Sequence, residues 1–244
     1  MINNRRIWAI IPASGVGHRM QSDRPKQYLS FCDKTVLEHT LDRLLGCDQV
    51  HGVILVLRED DEYWPKLQYH ADKPLHIAHG GAERQDSVIN GLILLHQVDK
   101  EECYTMVHDA ARPLVQYEEL SALINAVKQN KSGAILASPV ADTLKRGDSS
   151  GHISETVDRN NLWRAFTPQL FESALLLDAL QQAKNNQQVM TDDAAAMAAV
   201  GHAVQLVEGR SDNIKITRPE DLRLAEQIWK NQQQSNKGDQ QHHK

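Results

Sequence analysis

Between residues 7 and 137, short apolar runs alternate with stretches whose apolar residues recur at helical spacing, and this alternation constrains the fold more than any other feature. Ile7–Ile11 and Gly52–Leu57 are apolar almost throughout, the mark of strands buried on both faces. Leu75–Ala78, Tyr104–His108 and Ala134–Ala137 read as further strands. Thr35-Val36-Leu37-Glu38 is a capping box opening a helix whose inward stripe is Val36, Leu37, Leu41, Leu44 and Leu45. Glu83 to His96 carries Val88, Leu92 and Leu95 at helical spacing, and Glu118 to Gln129 carries Leu120, Leu123, Ile124 and Val127. Strand and helix in turn imply an α/β fold with a mostly parallel sheet covered on both faces. Ligands of such sheets lie beyond the carboxyl ends of the strands, so the loops after Ile11, Ala78 and His108 should converge on one crevice.

The pattern changes at Pro139. Val140–Arg146 and Ile153–Val157 read as two strands around the turn-rich Gly147-Asp148-Ser149-Ser150-Gly151. An isolated two-stranded ribbon is marginal in water, so an arm over 139–159 is expected to project and pack on a partner subunit. The alternative is a hairpin folded back on its own sheet. Phe171–Ala183 and Asp192–Val200 follow as helices, Val204–Val207 as a strand, and Asn213–Thr217 as an alternating strand. Thr217-Arg218-Pro219-Glu220 reads as a second capping box before a last helix from Leu222 to about Gln232. Residues 1–231 are thus expected to form a single domain including the arm, and 232–244 a polar, disordered tail.

Pro12 breaks the first strand into Ala13-Ser14-Gly15-Val16-Gly17, with Arg19 and Lys26 close behind. Small residues let backbone N–H groups approach an anion, and two cations beside them suit a polyphosphate. His18-Arg19 after Gly17 excludes a Walker A loop, and Met20 stands where a dinucleotide fingerprint needs its third glycine. A plain tight turn is the competing explanation; Arg19, Pro25 and Lys26 favour a triphosphate site. The chain has 27 Lys and Arg against 32 Asp and Glu, a net charge of −5, so phosphate affinity must come from a local cation cluster and no global basic field advertises nucleic acid. Cys32, Cys47 and Cys103 form no CxxC pair, and the apolar run after Arg5-Arg6 is too short for a signal peptide or a membrane span. A cytoplasmic protein is expected.

Other residues have two readings each. Asp109, at a strand's carboxyl end, can hold Mg²⁺ against nucleotide phosphates or pair with Arg112. Gly81 and Ser87, in Gly80-Gly81-Ala82-Glu83-Arg84-Gln85-Asp86-Ser87, can read a base edge or belong to an ordinary helix cap, and Arg84 can pair with an acid. Lys215 points into the crevice or into water. Asp212 completes a metal shell or pairs with Arg210. Thr191, before Asp192-Asp193, reads first as a helix N-cap.

PASGVGHRMQSDRPKQY, GGAERQDSV, VHDAARP, the stretch from Asp142-Thr143 to Arg159-Asn160, Phe166-Thr167-Pro168-Gln169, Thr191-Asp192-Asp193-Ala194 and EGRSDNIKITRPEDL occur in that order. Together they resemble the 2-C-methyl-D-erythritol 4-phosphate cytidylyltransferases of non-mevalonate isoprenoid synthesis, from about residue 7 to residue 227. Ser14 stands where that family more often has alanine. The resemblance implies a Rossmann-like nucleotidyltransferase fold with a projecting β-arm, working as a homodimer with CTP, the alcohol phosphate and Mg²⁺ or another divalent cation. It assigns Arg19, Lys26 and Lys215 to charge stabilisation at the reacting phosphorus. Ala13, Ser14, Gly15, Gly17, Gly81 and Ser87 would bind CTP. Asp109 and Asp212 would hold the metal, and Asp109 would also face the alcohol phosphate. Thr143 and Arg159 from the partner's arm would grip that substrate, with Arg112, Thr167 and Thr191 nearby. The alternatives are a cytidylyltransferase for another polyol phosphate such as ribitol 5-phosphate, a non-catalytic nucleotide-binding module, and a nicotinamide-dependent oxidoreductase, which the missing third glycine disfavours.

Overall fold

The structure, a computed structural model, describes residues 2, 4–15, 20, 22–130 and 132–239. Gly17 and Arg19 of the expected phosphate loop lie outside the described residues. β1 (Ile7–Pro12) leads through a short hairpin, β2 (Ser30–Phe31) and β3 (Lys34–Thr35), into α1 (Val36–Leu45). β4 (Gly52–Leu57), α2 (Trp64–Leu67), β5 (Leu75–His79), α3 (Arg84–Val98), β6 (Tyr104–Val107), α4 (Tyr117–Gln129) and β7 (Ala134–Pro139) follow. The second half comprises β8 (Leu144–Gly147), β9 (Ile153–Val157), β10 (Trp163–Glu172), α5 (Ser173–Asn185), α6 (Asp193–Ala199), β11 (Gln205–Glu208) and α7 (Pro219–Asp239).

Seven strands form one sheet in the order β11-β7-β10-β6-β1-β4-β5. Apart from β10, every pairing is parallel. Both faces are covered, as the apolar runs require. Ile7, Ala9 and Ile11 pack with Leu37, Leu41 and Leu44 of α1 and Leu120, Leu123 and Val127 of α4. Trp8 and Ile10 point the other way, to Val88, Leu92 and Leu95 of α3 and Leu176 and Leu180 of α5. Burying one such leucine stabilises the fold by about 1.5–3 kcal/mol, more than the propensity differences along a helix, so these stripes decide where the helices lie. The capping box at α1 forms as its sequence dictates. The Glu38 amide donates to Thr35 Oγ1 at 3.2 Å, and the Thr35 amide donates to Glu38 Oε2 at 2.7 Å.

The short β2, β3 and α2 were not expected from the sequence, and three further differences lie in the second half of the chain. β10 was not foreseen, yet it sits mid-sheet, antiparallel to both β6 and β7. Pro168 argues against a central strand because it cannot donate to a ladder. Here the register with β7 shifts between Ala165 and Gln169, so Pro168 falls where the ladder is interrupted. Residues 213–217 form no strand. They are held instead against the loop after β6, the Ile216 amide donating to Ala111 O at 2.9 Å and Arg112 Nη1 donating to Asn213 O at 2.7 Å. At the start of α7 the receiving carboxylate is Asp221, not Glu220: it accepts from the Thr217 and Arg218 amides, both at 2.9 Å. α7 itself continues past Gln232 to Asp239.

The arm is present as a ribbon in which β8 pairs only with β9. Leu144 and Ile153 are exposed on it. Its base is fixed by the β7–β10 ladder, where Pro139 faces Trp163. Among the described residues no helix is long and apolar enough to cross a membrane.

Candidate active site

The loops after β1, β5 and β6 do converge. They line a crevice of about 300 Å³, to which Ser14, Gly81, Lys26, Arg84, Asp109 and Lys215 contribute. Gln27 ties down the start of the loop after β1, its buried amide donating to Ala13 O at 2.5 Å and to Gly15 O at 3.3 Å. With those two carbonyl oxygens engaged, an anion approaching the loop does not meet them. Lys26, on the single turn Lys26–Tyr28, reaches across to the carbonyl of Ile216 at 3.1 Å, next to Lys215.

Ser87 joins the two small-residue loops. Its hydroxyl lies 2.9 Å from Ser14 Oγ and accepts from the Gly81 amide at 3.2 Å. α3 opens with a capping box of Glu83 and Asp86, so the cap expected in this stretch and the Ser87 contacts coexist. Gly80 leaves no room for a side chain: a Cβ there would stand 2.5 Å from Ser14 Cβ. Gly80→Ala should therefore destabilise the protein by about 1–3 kcal/mol in denaturant unfolding. Ser14→Gly in the same chain should recover most of that loss, and no recovery would mean the clash lies elsewhere.

Asp109 is the electrostatic centre. Lys215 Nζ is 2.8 Å from Oδ2, Arg112 Nε is 3.4 Å from Oδ2, and Arg84 Nε is 3.5 Å from Oδ1. Burial alone would raise the Asp109 pKa, but Lys215, Arg84 and Arg112 outweigh it and hold the carboxyl well below the usual carboxylate range. Its backbone is fixed too. The Asp109 amide donates to Thr167 Oγ1 at 3.0 Å, and that hydroxyl donates to His108 Nδ1 at 3.1 Å. His108 Nε2 donates to Arg112 O at 2.9 Å. Burial pushes the imidazole down to about 4, so it is neutral at neutral pH and can accept at Nδ1. Arg112 lies over the Phe166 ring at 5.5 Å, and burial draws its pKa below the ordinary value.

The remaining expected residues stand apart from this cluster. Asp212 does not line the crevice, and its two oxygens accept from Arg210 at 2.8 and 2.6 Å, the pairing that its sequence position left open. Among the described residues no group of three or more His, Cys, Asp or Glu could hold a metal ion. Asp192 rather than Thr191 caps α6, accepting from the Ala195 amide at 2.9 Å; Thr191 is exposed just before it. Thr143 and Arg159 are exposed on the arm and do not line the crevice of their own chain. Arg159 donates to the carbonyl of Ala141 at the arm's base. A larger cavity, about 1080 Å³, opens beside that base between Val140, Leu144, Trp163, Glu208 and Arg210.

Three residues that hold the site in place were missed or left undecided in the sequence. Gln27 and His108 are buried polar groups whose partners lie on other loops. For Arg84 a pairing with an acid was one open reading, and the acid is distant in sequence: Nη1 and Nη2 reach the two oxygens of the buried Asp193 at 3.2 and 2.8 Å.

The sequence model of the 2-C-methyl-D-erythritol 4-phosphate cytidylyltransferase family matches residues 7–231. A protein of that name from Pseudomonas putida is 49% identical over 223 residues, covering 91% of this chain and 95% of the relative. Another, from Photobacterium profundum, is 47% identical over 225 residues, again covering 91% and 95%. Among solved structures, the Francisella tularensis 2-C-methyl-D-erythritol 4-phosphate cytidylyltransferase matches with a TM-score of 0.80 at 31% identity, covering 91% of this chain and 99% of the other. The Thermus thermophilus protein of the same name matches with a TM-score of 0.75 at 30% identity, covering 91% and 98%.

Proposed function

Because the chain belongs to the 2-C-methyl-D-erythritol 4-phosphate cytidylyltransferase family, we infer that its own reaction is the one that name describes. It is a CTP-dependent nucleotidyltransferase of isoprenoid biosynthesis. An oxygen of the 2-C-methyl-D-erythritol 4-phosphate attacks the α-phosphorus of CTP, a new P–O bond forms, and the bond to the leaving pyrophosphate breaks with its electron pair. The products are 4-diphosphocytidyl-2-C-methyl-D-erythritol and pyrophosphate. The observation that carries this reading is that Lys26, Asp109 and Lys215 line one crevice together with the small-residue loops after β1 and β5.

In this reading the protein acts by positioning and charge stabilisation. Ala13, Ser14, Gly15 and Gly17 receive the triphosphate, while Gly81 and Ser87 read the cytosine. Arg19, Lys26 and Lys215 stabilise the charge that builds on the reacting phosphorus and the leaving pyrophosphate. Arg112, Thr167 and Thr191 flank the alcohol phosphate. Thr167 does so from within the fold, since its hydroxyl already bridges Asp109 and His108.

Mg²⁺ or a similar divalent cation suits the site in one respect. Such an ion takes one or two carboxylates and completes its shell with phosphate oxygens and water, and Asp109 presents a carboxylate to the crevice. Asp212 could join it only by leaving Arg210. Bound there, the ion would neutralise phosphate charge. The two substrates carry about six negative charges, more than the local cations alone balance.

The exposed arm supports a homodimer in which Thr143 and Arg159 complete the partner's site, the arm seating in the cavity at the base of the partner's own arm. Residues 1–231 form one domain in this reading. The cytoplasm is its compartment, consistent with Cys32, Cys47 and Cys103 all being free thiols.

Pyrophosphate release tests the whole assignment, measured with each nucleoside triphosphate in turn against methylerythritol phosphate and ribitol 5-phosphate. CTP with methylerythritol phosphate should give the highest kcat/KM. Equal or faster turnover of ribitol 5-phosphate would replace the acceptor, and preference for another nucleotide would displace the cytosine assignment.

A further inference from the structure

Arg84 stands in the crevice with a carboxylate on either side of it. Its two terminal nitrogens are taken by Asp193, in the first turn of α6 and wholly buried. Its Nε edge faces Asp109 Oδ1 at 3.5 Å. The oxygens of Asp109 are thereby sorted: Oδ1 faces Arg84, while Oδ2 takes Lys215 at 2.8 Å and Arg112 at 3.4 Å. Asp193 offsets the charge of Arg84, so the pair orients Asp109 without adding a net cation to the phosphate end. The start of α6 that carries Asp193 is itself anchored to β10. Gln169 Nε2 donates to Asp192 Oδ2 at 2.9 Å, and the Ala194 amide donates to Gln169 Oε1 at 3.0 Å. Gln169 is buried, so the anchor is a rigid one.

We propose that Arg84, clamped by Asp193, is a positioning residue that acts through Asp109, fixing one oxygen of that carboxylate so that the other is aimed at Lys215. The inference rests on the reaction given above. A planar guanidinium is needed for it, because a lysine ammonium is a point charge that cannot fork to Asp193 and still present an edge to Asp109. When phosphate draws Lys215 away from Asp109, Arg84 remains and keeps the carboxylate in place. The pair also links the nucleotide side of the crevice, at the start of α3, to the loop before α6 that carries Thr191.

A double-mutant cycle in kcat tests this, because a residue acting through Asp109 loses its effect once Asp109 has lost its charge. Asp193→Asn should lower kcat about tenfold or more with Asp109 intact, and by less than about twofold in an Asp109→Asn background. The KM for CTP should change by less than about twofold in the Asp109-intact chain, since the triphosphate-binding groups are untouched. Arg84→Lys, which keeps the charge and loses the fork, is run through the same cycle and carries the test if Asp193→Asn does not fold. A purely structural role, or direct contact between Arg84 and substrate, predicts equal costs in both backgrounds; equal costs, including none in either, overturn the proposal. Wild-type protein that releases no pyrophosphate with CTP and methylerythritol phosphate would overturn the reaction and this inference together, whereas normal wild-type turnover with an additive cycle overturns the inference alone.

Discussion

Lys26→Ala should lower kcat by about 10²–10³-fold, the scale set by removing one preorganised donor from a developing oxyanion. The ammonium is held at the crevice by the carbonyl of Ile216, so it needs little rearrangement to meet the triphosphate. That same contact joins the phosphate loop to the segment carrying Lys215, and the alanine variant could lose some order as well as charge. Lys26→Met loses the ammonium and its bond to Ile216 but keeps the apolar stem, so setting it beside alanine separates the ammonium from the packing of the stem. Both variants should fall by similar factors in the pyrophosphate assay while their unfolding midpoints stay close to that of the wild type. A Met variant turning over near the wild-type rate would show that the charge is dispensable.

The second large effect is a gain. Arg159→Ala and Lys26→Ala homodimers should each be nearly inactive, for different reasons. If each site takes its crevice from one chain and its arm from the other, a mixed dimer has one site carrying both lesions and one carrying neither. Random assortment of equal amounts makes half the dimers mixed, so activity should return to about a quarter of the wild-type value. The mixture must be unfolded and refolded together, or co-expressed, for the chains to assort. Activity no higher than the mean of the two parents would place Arg159 in its own chain's site, or outside any site.

Local features of the sequence translated well. The β1 run, the turn at Pro12 and the arrival of Lys26 lie within twenty residues of one another, and the periodicities of α1, α3 and α4 are properties of single segments. What could not be read depends on partners distant in the chain. Arg84 and Asp193 are 109 positions apart, and nothing near either identifies the other. Gln27 and His108 are polar residues in buried positions, and hydrophobic patterning does not tell a buried polar residue from an exposed one. Residues 213–217 alternate in sequence, but the Ile216 amide and the Asn213 carbonyl bond to the loop after β6 rather than to a neighbouring strand, which no local pattern announces. Asp212 is a residue whose sequence position left two readings open, a metal ligand or a partner of Arg210, and in the structure both of its oxygens accept from Arg210.

The central place of β10 has a consequence for how the chain assembles as it leaves the ribosome. β7 and β11 reach β6 only through β10, so the sheet remains two separate halves until residues 163–172 have emerged. Thr167, which holds the Asp109 amide, arrives with that strand. The nascent protein can therefore bury much of its first apolar core early and still lack a working centre until β10 joins the sheet.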